Sequence, residues 1–306
     1  GIYYDGTQAG ESVGFIPVVG NTAEIRELTI ANSVINANKG SAGAIAGSVA
    51  DKCGKAIKFN ANVVEDSVVF SGDAKFGGII GSVGYSALHM NDCFSKTHGL
   101  FNDITGEAKV SRSISVGAYP FTDVNGITAK GVYTDTVGAE LNGVYVIENE
   151  KMLGSEAKTN MSELNFPTSW KTTTDTYPVP TGVAASAEGE VGQVWSGAIA
   201  TKFAGGSGTK DDPYLIETPE QLAKLCSTSY RPANNKNLLP DAVKAAMTKE
   251  ELNQWNLDNI KYYKLTADIY LNDISKIDWA TGGSDADHVP NQWYNSSTVS
   301  KNFIGN

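Results

Sequence analysis

Hydrophobic residues in this chain fall into a recurring block framed by glycine. It reads Val13-Gly14-Phe15-Ile16-Pro17-Val18-Val19-Gly20, then Ala42-Gly43-Ala44-Ile45-Ala46-Gly47, then Phe76-Gly77-Gly78-Ile79-Ile80-Gly81, with a worn fourth copy at His98-Gly99-Leu100-Phe101. An alternating stretch rich in β-branched residues follows each of the first three copies. Ile57-Lys58-Phe59-Asn60-Ala61 alternates cleanly, Glu24 to Ile30 alternates after a one-residue slip, and Val63 to Phe70 ends in a short apolar run. Period-two alternation bounded by Gly, Asn and Asp marks strands. A block plus a strand, repeated along the chain, predicts stacked turns rather than a globule with one closed core. The Gly-Gly and Ala-Gly pairs predict corners where successive turns approach too closely for a Cβ.

The pattern changes after residue 150. Met161 to Phe166, Trp170 and Tyr177-Pro178-Val179-Pro180 read as a terminal covering, with Trp170 and Phe166 capping an apolar end. Residues 181–194 are small and polar and read as a linker or crossover. A new unit opens at Trp195-Ser196-Gly197. In it Thr218, Pro219 and Gln221 have the spacing of a helix N-cap, first helical position and capping box. Further helical character runs to about residue 260, including a second capping pattern at Thr248 and Glu251. Strand character returns over Tyr262 to Leu271. The domain reading is therefore 1–180 strands with a closing element, 181–194 crossover, and 195–306 a second unit with a helical insertion at about 218–260.

Composition narrows the function. The 306 residues are 41% hydrophobic and 19% charged, with 32 glycines and 10 prolines. Such a chain buries a core, and its glycines serve tight turns. The net charge of −10 argues against nucleic acid, whose binding needs clustered Lys and Arg, and against adhesion to anionic lipid. Three cysteines, Cys53, Cys93 and Cys226, fit no zinc spacing. Cys53 and Cys93 fall in neighbouring modules, where either a disulfide or two separate thiols fits. No run approaches the length of a membrane span. The opening Gly-Ile-Tyr-Tyr-Asp, without an initiator Met or a leader, reads as a fragment or a mature product.

Candidate chemistry is sparse. The histidines His89, His98 and His288 share no metal-ligand spacing, and neither a nucleophile elbow nor a phosphate loop occurs. Asp66, Asp73, Asp92 and Asp103 recur near turns, where Asp bonds its own backbone; that reading outranks a glycosidase pair. Asp211-Asp212 and Asp285-Ala286-Asp287 offer oxygens to calcium, but no full ligand loop accompanies them, and solvated turn carboxylates are the first reading. No other cofactor is expected. Aromatic residues are dense near both ends. They fill a core, form an interface, or stack on sugars, ranked in that order, with Tyr262, Tyr270, Trp293 and Tyr294 as the stacking candidates.

Phe76 to Gly81, Gly43 to Gly47 and the strand between them resemble the rungs of bacterial surface proteins built from the glycine-rich GLUG motif. Leu164-Asn165-Phe166, Trp170 and Tyr177-Pro178 resemble the closing element of such arrays. Trp195-Ser196-Gly197, Phe203, Gly205 to Thr209, Asp212-Pro213-Tyr214-Leu215-Ile216 and Glu220-Gln221-Leu222 resemble their opening element. The resemblance implies an all-β, right-handed β-solenoid (β-helix), to which the capping patterns add a small helix-bearing capping or insertion region in the C-terminal third. It also implies an extracellular or bacterial cell-surface location, mostly without an assigned activity, and the sparse chemistry adds the expectation of a non-enzymatic protein. Here the closing element precedes the opening one. The end of the chain would then lead toward another copy of its beginning, and copies would join head to tail into a fibre or surface stalk. The expected assembly residues are Ile2, Tyr3 and Tyr4 at one open end and Phe303 and Ile304 at the other. A monomeric carbohydrate-binding adhesin, with surface glycans or matrix as partner, is the alternative. A polysaccharide-degrading β-helix is the third reading.

Overall fold

The computed structural model describes residues 3–5, 12–20, 23–49, 56–84, 87–183, 194–226, 248–249, 261–271, 277–278, 283–284 and 304–305. The chain is mostly β, with 41% of residues in strands, and its parallel sheets curl into a half-barrel. Chain contacts divide it into two compact units. One comprises Gly1–Glu190 with Ile277–Gly283 and Asn302–Gly305; the other comprises Val191–Lys276 with Ser284–Lys301 and Asn306.

In the first unit the chain returns to the same sheets in the same order. Tyr3–Asp5, Ser33–Asn36 and Val68–Ser71 stack in one sheet, and Ser12–Val13, Ser41–Gly43 and Lys75–Gly77 stack in a second. The third holds Ile16–Val19, Ala46–Val49, Ile80–Val83 and Phe101–Ile104. All four glycine-framed blocks thus meet in register: Ile16 opposes Ala46, Ala46 opposes Ile80, and Ile80 opposes Phe101. A fifth residue joins this column through the bridge from Phe101 to Phe121. The large fourth sheet stacks Glu24–Arg26, Ile57–Asn60, Ala87–Asn91, Glu107–Ser115, Ile127–Thr134 and Val144–Val146.

Glycine makes the block column possible. A Cβ on Gly43 would stand 2.4 Å from the Ala46 carbonyl and 2.5 Å from the Gly81 nitrogen. One on Gly81 would stand 2.4 Å from the Gly47 carbonyl. Each glycine therefore lies against the backbone of a neighbouring turn, as the sequence pattern predicts. Between these seams Ile45, Ile79, Ile80 and Leu100 are fully buried and join one apolar core.

The slip in Glu24 to Ile30 has a structural cause. Glu27 takes a left-handed backbone with φ 56°, and so do Ala61, Asp92 and Arg112. These four stand in one column, since Arg26 opposes Asn60, Asn60 opposes Asn91, and Asn91 opposes Ser111. The bend turns each strand, and its amide finds the next turn: Glu27 N–H donates to Asn60 O at 3.0 Å and Ala61 N–H to Asn91 O at 2.9 Å. Asn62, fully buried, finishes the corner. Its Oδ1 accepts from Leu28 N–H at 3.2 Å and its Nδ2 donates to Ile25 O at 2.9 Å.

The turns shorten along the chain. Leu28 meets Asn62 34 residues on, Asn62 meets Cys93 31 on, and Cys93 meets Ser113 20 on. Val132 then opposes Val144, only 12 residues on. The later turns drop the first two sheets, so each is narrower than the one before.

Three expectations need correction. Val63 to Phe70 is not one strand. Val63–Val64 and Val68–Ser71 belong to different sheets, and the chain turns the corner at Asp66 and Ser67, where polar residues tolerate exposure. Likewise, only Tyr263–Leu265 is a strand within Tyr262 to Leu271. The closing element is also placed differently. Its apolar residues Met152, Ala157, Met161, Leu164 and Trp170 pack against Val63, Phe94, Ile114 and Tyr133. Those four stack across successive turns, so the element covers a flank of the ladder rather than one end. The flank needs this because in Val63–Val64 both residues are buried, one toward each face.

In the second unit, Tyr214–Ile216 pairs in parallel with Tyr263–Leu265. The helix Pro219–Cys226 begins as predicted, with Gln221 N–H donating to Thr218 Oγ1 at 3.3 Å. The return bond of the capping box comes from Glu217 N–H to Gln221 Oε1 at 2.7 Å, one residue earlier than the usual partner. The remainder of the expected 218–260 helical insertion lies outside the described residues, apart from Thr248 and Lys249.

Candidate functional site

Sheet edges are where parallel ladders recruit partners, because each edge leaves a row of backbone donors and acceptors unpaired. The strand Ile16–Val19 pairs Ala46–Val49 on one side and Ile304–Gly305 on the other, with Ile304 opposite Val18 and Gly305 opposite Val19. A segment nearly three hundred residues away in sequence thus occupies the outer edge of the first turn. Tyr3–Asp5 is the outermost strand of its own sheet and pairs Ser33–Asn36, with Tyr3 opposite Val34 and Tyr4 opposite Ile35. Tyr3, Tyr4 and Ile304 therefore lie at the same end of the ladder, not at opposite ends as the sequence reading has it. Ile2 and Phe303 lie outside the described residues. Val18, opposite Ile304, is 39% exposed. The neighbouring edge Glu24-Ile25-Arg26 carries exposed charges, and Arg26 pairs Glu27 at 3.1 Å. Charges on an edge discourage indiscriminate pairing there.

The candidate carboxylates do not share a groove. Asp92 binds Arg112 through two bonds of 2.8 Å and accepts Trp170 Nε1–H at 3.0 Å. These bonds hold the Arg112 guanidinium above its usual pKa, against the opposing effect of burial. Asp103 pairs Lys75 at 3.2 Å, while Asp66 and Asp73 are exposed turn residues. His98 lies against Phe70 and Phe76, with ring centroids 4.7 and 5.9 Å away, and burial lowers its pKa. Asp212 accepts Ser207 N–H with Oδ2 at 2.9 Å, and its carbonyl takes the amides of Ser207, Gly208 and Thr209. Among the described residues no cluster of three His, Cys, Asp or Glu side chains could hold a metal ion. Asp285 and Asp287 lie outside those residues. Of the stacking candidates, Tyr262 is 38% exposed, Tyr270 is half-buried and bridges Val194, and Trp293 and Tyr294 lie outside the described residues.

Cys93 is a free, fully buried thiol; Cys53 lies outside the described residues. Its Sγ donates to the Asn91 carbonyl at 3.4 Å, and burial pushes its pKa up to about 12. The folded state therefore favours the neutral thiol. That contribution is complete below the ordinary thiol pKa and is lost as pH rises from there through about 12. The folded protein should leave Cys93 unalkylated by iodoacetamide at neutral pH, with labelling only on denaturation, and its unfolding midpoint should fall in the alkaline range. Peptide mapping by mass spectrometry and urea titrations against pH check both.

One group escaped the sequence reading. On the outer face of the large sheet, Lys58 opposes His89 and His89 opposes Lys109, while Lys130 opposes Ser111 one column over. The four lie 31, 20 and 21 residues apart, and no regular spacing exposes such a column in the sequence. Compared with protein-family models, curated proteins and solved structures, the chain matches none.

Proposed function

We propose that this chain is a non-enzymatic structural or adhesive protein of the bacterial cell surface, built as a right-handed β-solenoid like the GLUG-motif proteins it resembles, and that its copies join end to end. The observation that carries this reading is the seating of Ile304–Gly305 on the edge of Ile16–Val19. The seat is made of backbone bonds in parallel register, so any copy of the same strand fits it equally well. Exchange of an identical element between copies is a low-cost route to assembly. Because donor strand and acceptor edge are different surfaces, the contact is heterologous and propagates into a filament when it does not close. Strand addition to an open edge also supplies affinity without requiring a pocket.

A disulfide test separates exchange from self-seating. Opposed residues of a ladder lie within disulfide reach. Val18→Cys and Ile304→Cys are made separately, each with Cys53 and Cys226 replaced by serine. The two single variants are refolded together at high concentration and oxidised. A covalent dimer containing one of each is the expected product. The double variant should give covalent chains whose length grows with concentration. Exclusively intrachain disulfides at every concentration, with monodisperse particles in light scattering, would refute end-to-end joining.

A further inference from the structure

On a chain of net charge −10, the outer face of the large sheet carries a basic column. Lys58, His89 and Lys109 occupy directly opposed positions on three successive strands, and Lys130 stands on the fourth. Neighbouring strands lie about 4.8 Å apart, so Lys58 and Lys109 are separated by about 10 Å along a straight row. The three lysines are exposed, and among the described residues none has an ion-pair partner. Elsewhere in this unit Lys75, Lys96, Arg112 and Lys151 all pair with carboxylates. Two carboxylates share this sheet face: Glu24 opposes Lys58 on the outer strand and accepts Asn60 Nδ2 at 3.0 Å, and Glu107, opposite Ala87, lies two residues before Lys109. Glu24 offsets Lys58 at the outer strand, so the positive charge is concentrated at His89, Lys109 and Lys130. Burial, and after it the charges of Lys109 and Lys58, lower the His89 pKa.

The column borders a shallow groove of about 210 Å³ that runs between His89, Asn91, Lys109, Ser111 and Lys130. Its polar floor is already ordered: Asn91 Nδ2 donates to Asn60 Oδ1 at 2.9 Å, and Ser111 Oγ donates to Asn91 Oδ1. Thr128, exposed beside it, supplies a further hydroxyl. A flat, fixed face of this kind favours a thin, linear ligand lying across the strands, with hydroxyls for the groove and an anion for each lysine.

We infer that this face binds an acidic polysaccharide, a linear chain of sugar rings carrying carboxylates. Such a chain repeats its anions on the same scale as the strand spacing. A nucleic acid duplex or an anionic membrane would bring a dense phosphate surface against the acidic remainder of the protein, which repels it. The inference is independent of end-to-end joining, because the groove lies on a face of the sheet and the seat of Ile304–Gly305 lies on an edge.

The probe is a linear polygalacturonate oligomer, titrated calorimetrically at low salt, beside neutral dextran and a DNA duplex of equal total charge. The wild-type chain should bind the polyuronate saturably and dextran not at all, with affinity falling as salt is added. The Lys109→Ala/Lys130→Ala double variant should lose about tenfold in affinity, while its circular dichroism and unfolding midpoint stay unchanged. In nuclear magnetic resonance, the titration midpoint of the His89 ring should rise on binding, since an anion offsets the charge of Lys58 and Lys109. An absence of saturable polyuronate binding overturns the inference. So does an affinity that the double variant leaves unchanged, or DNA binding as tightly through the same lysines.

Discussion

Replacing Gly43 with alanine is expected to abolish stable folding of the first unit. The new methyl would meet the Ala46 carbonyl at 2.4 Å, the Gly81 nitrogen at 2.5 Å and the Ile80 carbonyl carbon at 2.7 Å. All three are backbone atoms of a ladder bonded on both sides, so none can swing away as a side-chain tip would. Overpacking in a tight core costs about 1 to 3 kcal/mol when neighbours yield. Here, a shift large enough to admit the methyl would break the pairing of Ala46 with Ile80 on one side and of Ala46 with Ile16 on the other. The cost should therefore lie at or above the top of that range, a large share of the total stability of a domain. Gly81→Ala should behave the same way. Gly205→Ala is the control, because its nearest neighbour is a side-chain atom, Leu215 Cδ1 at 3.5 Å, an ordinary contact. Urea unfolding followed by circular dichroism gives the comparison; a midpoint for Gly43→Ala within error of wild type would show that the seam can open.

Trp170→Ala should be the second most damaging change. The side chain is fully buried, lies 6.3 Å from Phe94 between ring centroids, and anchors the flank covering to the ladder. Its indole Nε1–H donates to Asp92 Oδ1 at 3.0 Å and to Arg112 O at 3.1 Å. Truncation removes the packing and leaves a void, worth about 3 to 5 kcal/mol for a buried aromatic. Trp170→Phe keeps most of the packing and loses the bonds, a cost of about 1 to 2 kcal/mol. The ordering wild type, Phe, Ala in chemical unfolding is the expected result. Equal losses for Phe and Ala would mean that the hydrogen bonds, not the packing, hold the flank in place.

What the sequence makes legible is the part that repeats. Gly43, Gly77 and Gly81 mark the corners because no other residue fits there, and the apolar residues between them mark the core. The bends at Glu27, Ala61, Asp92 and Arg112 are not legible. Four different residue types adopt the same left-handed conformation, and the amides of Glu27, Ala61 and Asp92 each find a carbonyl one turn away. Local propensity carries no trace of that bond. Trp170 is recognisable as buried but not as a flank residue, since its partners Asp92 and Arg112 lie 78 and 58 residues away in sequence. The seat of Ile304 on Val18 and the basic column are hidden for the same reason: both depend on a register that shifts from turn to turn.

The narrowing of the turns bears on how this ladder comes into being. Joining two points of an unfolded chain costs entropy that grows with the logarithm of the intervening length, by about 0.6 kcal/mol for each doubling. The contact of Val132 with Val144 encloses 12 residues, and that of Leu28 with Asn62 encloses 34, a difference of about 1 kcal/mol in closure. Nucleation is therefore cheapest around Glu107–Ser115, Ile127–Thr134 and Val144–Val146, where the strands are also longest or the loops shortest. From that nucleus, each wider turn has a finished edge to land on. The ladder would zip backwards along the chain, and Ile16–Val19, the edge that receives Ile304–Gly305, would be among the last surfaces to take shape.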